Sequence, residues 1–240
     1  MSCKNQIGIV TGASSGIGRA TALALAGFGM TLGLVGRDQE RLEAVTAEAR
    51  GLSVRAEAYR ADLSCDEDLR RIAVSVQKDF GAVDVLVHCA GVFRMGPIDQ
   101  SSVADLDVLY RTNVRAPYAL TQALLSLICA RRGQVVFINS SVGLAPRANV
   151  AAYAATKHAL KAIADSLRAE VNALGVRVIT VYPGRTATPQ QQRIHEQDCK
   201  PYRPDRLLQP EDVAQAVVNA LLMPRTAEVT DINIRPMHKT

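Results

Sequence analysis

The chain contains no tryptophan, only 4% aromatic residues and no Cys-x-x-Cys pair. Its five cysteines, Cys3, Cys65, Cys89, Cys129 and Cys199, are odd in number and widely spaced, a pattern that suits neither a disulfide framework nor a zinc site. A reducing, cytoplasmic setting is expected. No apolar run approaches the roughly 18 residues needed to cross a bilayer, and Met1 to Gln6 leads straight into Ile7-Gly8-Ile9-Val10 without a signal core. Secretion and membrane spanning are therefore not expected. The net charge is +5, but Lys and Arg form no long cluster; with so few aromatics to stack on bases, nucleic acid is not an expected partner. Low-complexity linkers and internal repeats are also missing.

What is present describes one folded unit. At 240 residues, 48% hydrophobic and 21% charged, the chain can bury one sizeable core, and a single α/β domain over 1–240 is expected. Short β-rich runs alternate with stretches of helical period, the mark of repeated βαβ units on a parallel sheet. The strands read as 7–11, 31–35, 54–59, 83–88, 134–139, 177–182 and 229–234, and the helices as 17–28, 38–50, 66–80, 103–131, 154–174 and 210–223. Asp38 reads as an N-cap, Gly175 as a C-cap, and Pro210-Glu211-Asp212 as a helix start. The segment 184–209 breaks the regularity with Pro189, Pro201 and Pro204 among polar residues. A loop of this length is usually functional or mobile, and it is read as a substrate lid.

Two motifs carry chemistry. After the first strand comes Thr11-Gly12-Ala13-Ser14-Ser15-Gly16-Ile17-Gly18. Strand, glycine-rich turn and helix bring backbone N–H groups and the positive end of a helix dipole to a pyrophosphate. Gly12 suits the turn, Gly16 the approach of phosphate, and Gly18 close packing of helix on sheet. A polyphosphate-bearing cofactor would also account for the mild positive charge, and a purely structural turn is the alternative. Tyr153 and Lys157 are four residues apart, on one helix face, where an ammonium can lower the pKa of a phenol. In isolation that pair more often describes a surface helix with a solvated lysine and a half-buried tyrosine. The second strand ends Val35-Gly36-Arg37-Asp38. Gly36 offers no carboxylate for the ribose of NAD, whereas Arg37 suits a 2′-phosphate, so NADP(H) is expected over NAD(H).

These residues resemble the short-chain dehydrogenase/reductase family, and the likeness runs from Ile7 to Pro236. It rests on Thr11-Gly12-x-x-x-Gly16-x-Gly18, Asp62-Leu63, Ala90-Gly91, Asn113, Ser140 thirteen residues before Tyr153, Lys157, Pro183-Gly184 and Thr188. The resemblance implies a Rossmann-type, doubly wound parallel sheet in order 3-2-1-4-5-6-7 with helices on both faces, and hydride transfer at nicotinamide C4. It implies a catalytic tetrad of Asn113, Ser140, Tyr153 and Lys157: Tyr153 exchanges the proton with the substrate oxygen, Ser140 hydrogen-bonds that oxygen, and Lys157 lowers the tyrosine pKa and holds the nicotinamide ribose. Toward the cofactor it implies Gly12, Ser14, Ser15, Gly16, Ile17 and Gly18 at the phosphates. Asp62 and Leu63 would frame the adenine, Ala90 and Gly91 the adjacent ribose, and Pro183, Gly184, Thr186 and Thr188 the carboxamide or phosphates. Asn113 is counted there too. Pro117, four residues on, has no N–H for the Asn113 carbonyl, which in the family holds a water of the proton relay; a plain proline kink is the other reading. A homo-oligomer, tetramer or dimer, packing through 103–131 and 154–174 is implied as well.

Several departures stand out. His88-Cys89-Ala90-Gly91 replaces the family's Asn-Asn-Ala-Gly, so hydrogen bonds tying the fourth strand must be replaced or lost; His88 and Cys89 are read as packing residues. Thr186 stands where the family often has an aliphatic residue. Ser141 is the structural alternative to Ser140, since neighbouring strand residues face opposite ways. Phe93, Met95, Val142, Leu144 and Tyr182 are expected to wall the pocket, with Arg185, Arg193, His195 and Arg203 nearby, where they either meet an anionic group or are simply solvated. The expected activity is NADP(H)-dependent interconversion of a ketone or aldehyde and its alcohol, a 3-oxoacyl reductase being one subtype. A non-catalytic NADP(H) sensor is the rival from another class. An epimerase or dehydratase of nucleotide sugars is disfavoured by the short stretch after Gly184.

Overall fold

A computed structural model describes residues 4–53, 55–197 and 200–238. These form a seven-stranded parallel sheet in the order β3-β2-β1-β4-β5-β6-β7, as expected. The strands are β1 (Ile7–Thr11), β2 (Thr31–Gly36), β3 (Ala56–Arg60), β4 (Val85–His88), β5 (Gln134–Ile138), β6 (Arg177–Pro183) and β7 (Asp231–Ile234). The helices between them are α1 (Gly16–Gly27), α2 (Gln39–Leu52), α3 (Asp66–Asp79), α4 (Val103–Tyr110), α5 (Ala116–Ala130), α6 (Ala151–Val171), α7 (Pro189–Gln197) and α8 (Pro210–Leu221).

The apolar runs of the central strands are continuous because both sheet faces are covered, and the period of two divides each run between two cores. Val10, Leu32, Leu34, Val136, Ile179 and Val181 pack toward α1, α2 and α8. Their neighbours Ile9, Val35, Val135, Phe137 and Val178 pack toward α3, α5 and α6. Helix ends follow local chemistry. The Asp38 carboxylate accepts the Arg41 N–H at 3.1 Å, Gly175 takes φ of +79° past the end of α6 and its following turn, and Gln209 and Asp212 cap the start of α8 reciprocally.

Three expectations need correction. The helix expected over 103–131 is divided: α4 ends at Tyr110, Arg111–Arg115 form a π turn, and α5 begins at Ala116. Pro117, in the first turn of α5, cannot supply the N–H that a continuous helix needs. The lid at 184–209 is not one irregular loop. Thr188 Oγ1 accepts the Gln191 N–H at 3.2 Å and opens α7, Pro204–Arg206 add a 3₁₀ turn, and Thr186 bridges to Leu208 as a strand pair. Strand β4 begins at Val85 rather than 83, because the Asp84 carboxylate leaves the strand pattern to accept the Ile7 N–H at 2.8 Å and pair with Arg131 Nε at 2.9 Å. The expected first residue of the third strand, Val54, and the cysteines Cys3 and Cys199 lie outside the described residues.

The His88-Cys89 departure resolves into two substitute ties. Thr11 Oγ1, at the end of β1, accepts the N–H groups of Cys89 and Ala90, each at 3.2 Å. His88 Nε2 lies 2.8 Å from Thr121 Oγ1, and its ring stacks on Phe137 with centroids 5.0 Å apart. Burial pushes the imidazole pKa down to about 3, so the folded state keeps it neutral while the unfolded chain takes up a proton below about pH 6.5. Stability should therefore fall with pH through the window from about 6.5 toward 3, at up to about 1.4 kcal/mol per pH unit. Urea titrations of wild type and His88→Gln at stepped pH should differ by nearly one proton in this slope; equal slopes would show that His88 does not titrate on unfolding.

Candidate active site

A cleft of about 920 Å³ opens at the carboxyl ends of β1, β4, β5 and β6, where the strand order reverses around β1 and β4. Ligands of open α/β sheets bind at such switch points. The floor is the β1–α1 turn. Gly12 has φ of +67°, and a Cβ there would lie 2.7 Å from the Ala90 nitrogen. At Gly18 a Cβ would lie 2.2 Å from the Gly12 carbonyl oxygen. The turn is thus packed main chain on main chain. Gly16, with φ of +53°, faces Thr188, and Ser14, Ser15 and Ile17 line the same wall. Ser15, the N-cap of α1, makes no side-chain capping bond, so the N–H groups opening α1 face the cleft available to an anion. The absent Cβ atoms and the uncapped helix start fit a bound pyrophosphate.

Along the cleft from this turn, Arg37, Arg41, Asp62, Leu63, Ala90 and Gly91 contribute lining. Arg37 extends toward solvent, its guanidinium 4.0 Å from Asp62. The Ser64 hydroxyl and N–H bind the Asp62 carboxylate at 2.7 and 2.9 Å and hold its pKa below the usual carboxylate range. Asp38 is occupied as a helix cap and is not part of the lining. At the far end Pro183, Gly184, Thr186 and Thr188 follow β6.

Ser140, Tyr153 and Lys157 meet in this cleft. The Lys157 ammonium donates to the Ile138 carbonyl at 3.1 Å and lies 5.7 Å from the centre of the Tyr153 ring, so the pair shares one helix face as the spacing predicts. The electrostatics differ from expectation. Burial pushes the Tyr153 phenol up to about 12, opposed by the Ser140 hydroxyl, and burial pushes Lys157 down to about 8. Desolvation disfavours both charged forms, and no lowering of the phenol by Lys157 is found. Ser140 is the serine beside Tyr153, whereas Ser141 starts a 3₁₀ turn whose Val142 N–H meets Ser140 Oγ at 3.4 Å.

Asn113 is buried and its side chain is fully engaged. Oδ1 accepts the Val92 N–H at 2.8 Å, while Nδ2 donates to the Val92 carbonyl at 2.9 Å and to Thr156 Oγ1 at 3.2 Å. The side chain does not line the cleft, and Pro117 has no N–H to offer the Asn113 main-chain carbonyl. Phe93 and Val142 wall the cleft as expected, the Phe93 ring meeting Tyr153 edge-on at 4.8 Å. Tyr182 does not: it lies inside the sheet, its phenol pushed up by burial and by Asp231. Met95 belongs to a separate pocket of about 90 Å³, Leu144 points to solvent, and His195 packs against Tyr202. Arg185 and Arg193 line the cleft, and Arg203 does not.

Sequence reasoning overlooked Asn139. Its Nδ2 donates to the Lys157 carbonyl at 3.0 Å and its Oδ1 accepts the Ser140 N–H at 2.8 Å. Gly143 makes room for it, since a Cβ there would fall 2.4 Å from Oδ1. A buried asparagine ending an apolar strand was the available signal.

The family profile described as short chain dehydrogenase matches residues 6–198. The chain belongs to the short-chain dehydrogenase/reductase family. Among relatives, an uncharacterized oxidoreductase of Staphylococcus epidermidis is 32% identical over 98% of each chain. A metagenomic short-chain oxidoreductase solved in complex with NADP superposes with a TM-score of 0.86 at 32% identity, covering 100% of both chains. An alcohol dehydrogenase of Thermococcus sibiricus, complexed with 5-hydroxy-NADP, gives 0.88 at 26% identity over 98% of each. Within this short-chain dehydrogenase/reductase, the Gly12–Gly18 contact is the tightest element of the cleft floor. Gly18→Ala should destabilise the protein by at least about 2 kcal/mol, as overpacking against fixed backbone does, and weaken dinucleotide binding together with it. Thermal unfolding and a calorimetric titration would check both; unchanged values would show that the turn relaxes freely.

Proposed function

We propose that this oxidoreductase interconverts a ketone or aldehyde and its alcohol with NADP(H). The observation that carries the reading is the meeting of Ser140, Tyr153 and Lys157 with the glycine turn in one cleft. Relatives solved with NADP and 5-hydroxy-NADP and the exposed guanidinium of Arg37 support the 2′-phosphorylated cofactor. When bound, the cofactor supplies or accepts the hydride. The wall from Gly12 to Gly18 would hold its phosphates, Arg37 its 2′-phosphate, and Ala90, Gly91 and Thr188 its remaining length. The whole chain serves as one domain for this purpose, with 184–209 as the lid and α7 as the helix within it.

The residues divide the proton chemistry among them. A phenol with its pKa near 12 is fully protonated at neutral pH, so Tyr153 is ready to donate to the carbonyl oxygen as that oxygen gains charge. The Ser140 hydroxyl donates a second hydrogen bond to the same oxygen. Lys157, still charged at neutral pH with its pKa near 8, favours the phenolate that donation leaves behind. In the oxidative direction the phenolate must form first, so that direction gains from rising pH.

Tyr153→Phe should lower kcat by roughly a thousandfold, the scale of a lost general acid, with NADPH affinity retained in a fluorescence titration. Preserved turnover would remove Tyr153 from the mechanism. Arg37→Ala should weaken NADPH by at least about tenfold and NADH little, as loss of a charge-assisted phosphate contact does; an unchanged NADPH/NADH ratio in kcat/KM would refute the 2′-phosphate role. For carbonyl reduction, kcat/KM should hold level from roughly pH 6 to 7 and decline through about pH 8 as Lys157 loses its proton. A profile flat to about pH 10 would show that the Lys157 charge is not needed.

A further inference from the structure

The described cleft lining carries six arginines and one lysine but a single carboxylate, Asp62. Two of the arginines stand at the end assigned above to the 2′-phosphate, Arg37 beside Asp62 and Arg41 beside Asp38. Arg94 is paired with Asp105 at 3.2 Å. Three remain. Arg147 lies in the loop that follows Ser140, Arg185 lies two residues beyond Pro183, and Arg193 is on α7. None of these three guanidinium groups has a carboxylate partner among the described residues. Elsewhere the chain places acids beside its arginines readily: Arg19 with Glu48, Arg71 with Asp68, Arg115 with Asp66 and Arg168 with Asp165.

Three uncompensated cations facing one cleft set up a positive field that the low-dielectric walls focus. They come from three separate segments, so no single loop's composition explains their convergence. One of those segments also holds a reacting group, since the loop bearing Arg147 begins at Ser140, and the turn bearing Arg185 follows the end of β6, which lines the cleft. Guanidinium groups present planar paired donors that match carboxylate and phosphate oxygens. Gln190 and Gln191, on the same wall, add amide groups.

We propose that the carbonyl substrate carries an anionic group, a carboxylate or a phosphate, bound by Arg147, Arg185 and Arg193 while the carbonyl sits between Ser140 and Tyr153. This rests on the carbonyl-reducing function proposed above. The anion anchors one end of the molecule and orients the other, and α7 brings Arg193 to the bound group from the lid side.

The test uses the full-length protein loaded with NADP⁺, in which a ketone binds without being turned over. Calorimetry compares acetoacetate with acetoacetamide, and dihydroxyacetone phosphate with dihydroxyacetone. The charged member of at least one pair should bind about tenfold or more tightly, a difference of about 1.4 kcal/mol, and its advantage should shrink as salt rises. The pair showing the preference tells carboxylate from phosphate. In Arg147→Gln/Arg185→Gln, and again in Arg193→Gln, the ratio should move toward unity. Parity within both pairs in the wild type would overturn the proposal. So would variants that weaken NADP⁺ as much as the charged probe, since the arginines would then serve the cofactor. Failure of the underlying functional reading shows separately, as no heat on titrating NADP⁺ before any probe is added.

Discussion

The site depends on one steric constraint, the contact of bare backbone at the β1–α1 turn. The Gly12 carbonyl sits where a Gly18 side chain would be, and the Ala90 nitrogen sits where a Gly12 side chain would be. The helix start, the turn and the loop after β4 are therefore three layers of main chain with nothing between them. That closeness aims the opening N–H groups of α1 into the cleft and puts Ala90 and Gly91 beside them. Thr11 reinforces the stack, because its hydroxyl takes the Cys89 and Ala90 amides that would otherwise be unpaired. A chain that lacks the family's asparagines at 88 and 89 thus keeps the same loop in place from the neighbouring strand.

On this floor two buried asparagines tie together the segments that carry Ser140, Tyr153 and Lys157. Asn113 ties the loop at Val92 to Thr156, and Thr156 Oγ1 donates in turn to the Tyr153 carbonyl at 2.7 Å. Asn139 ties the Ser140 amide to the Lys157 carbonyl. Asn113 reaches the Val92 main chain and the Thr156 hydroxyl, and Asn139 joins its neighbour Ser140 to Lys157 on α6; a buried network of that kind specifies a single arrangement because any slip leaves polar groups unpaired. The π turn at Arg111–Arg115 belongs to the same device. The extra residue it accommodates carries Asn113 inward while Pro117 restarts the helix.

The fold was largely legible in the sequence because its signals are local and repeated: apolar strand runs, helix caps at Asp38 and Gly175, and glycines at fixed offsets. The Tyr153 and Lys157 pair was legible for the same reason, since helix spacing places them on one face, whereas Ser140 was picked out by the family resemblance, thirteen residues before Tyr153. What escaped reading depends on the fold around a residue. Tyr182 looked like a pocket wall, yet one position along β6 separates the open cleft from the sheet interior. Asn139 matters through its reach to Lys157 on α6 as well as to its neighbour Ser140, and Gly143 through the room it leaves for Asn139. The α7 helix was missed although Thr188-Pro189 is a helix-start pair, because prolines and polar residues were read together as loop. The depressed tyrosine pKa was expected from proximity alone, and burial reversed it.

That reversal bears on how the site works. The same desolvation raises the phenol and lowers the ammonium, so each charged form alone is disfavoured in this pocket. At neutral pH the lysine keeps its proton only because its depressed value stays above 7, and it is a buried cation with a carbonyl and no anion beside it. Under the proposed function, a proton passing from Tyr153 to the substrate oxygen would leave a phenolate next to that cation, and the two unfavourable charges would become one pair. A charge present before the reaction would thus be relieved by the charge the reaction creates. The stabilisation would be realised as the proton moves rather than in the resting protein, which is the condition under which binding energy lowers a barrier instead of deepening a ground state.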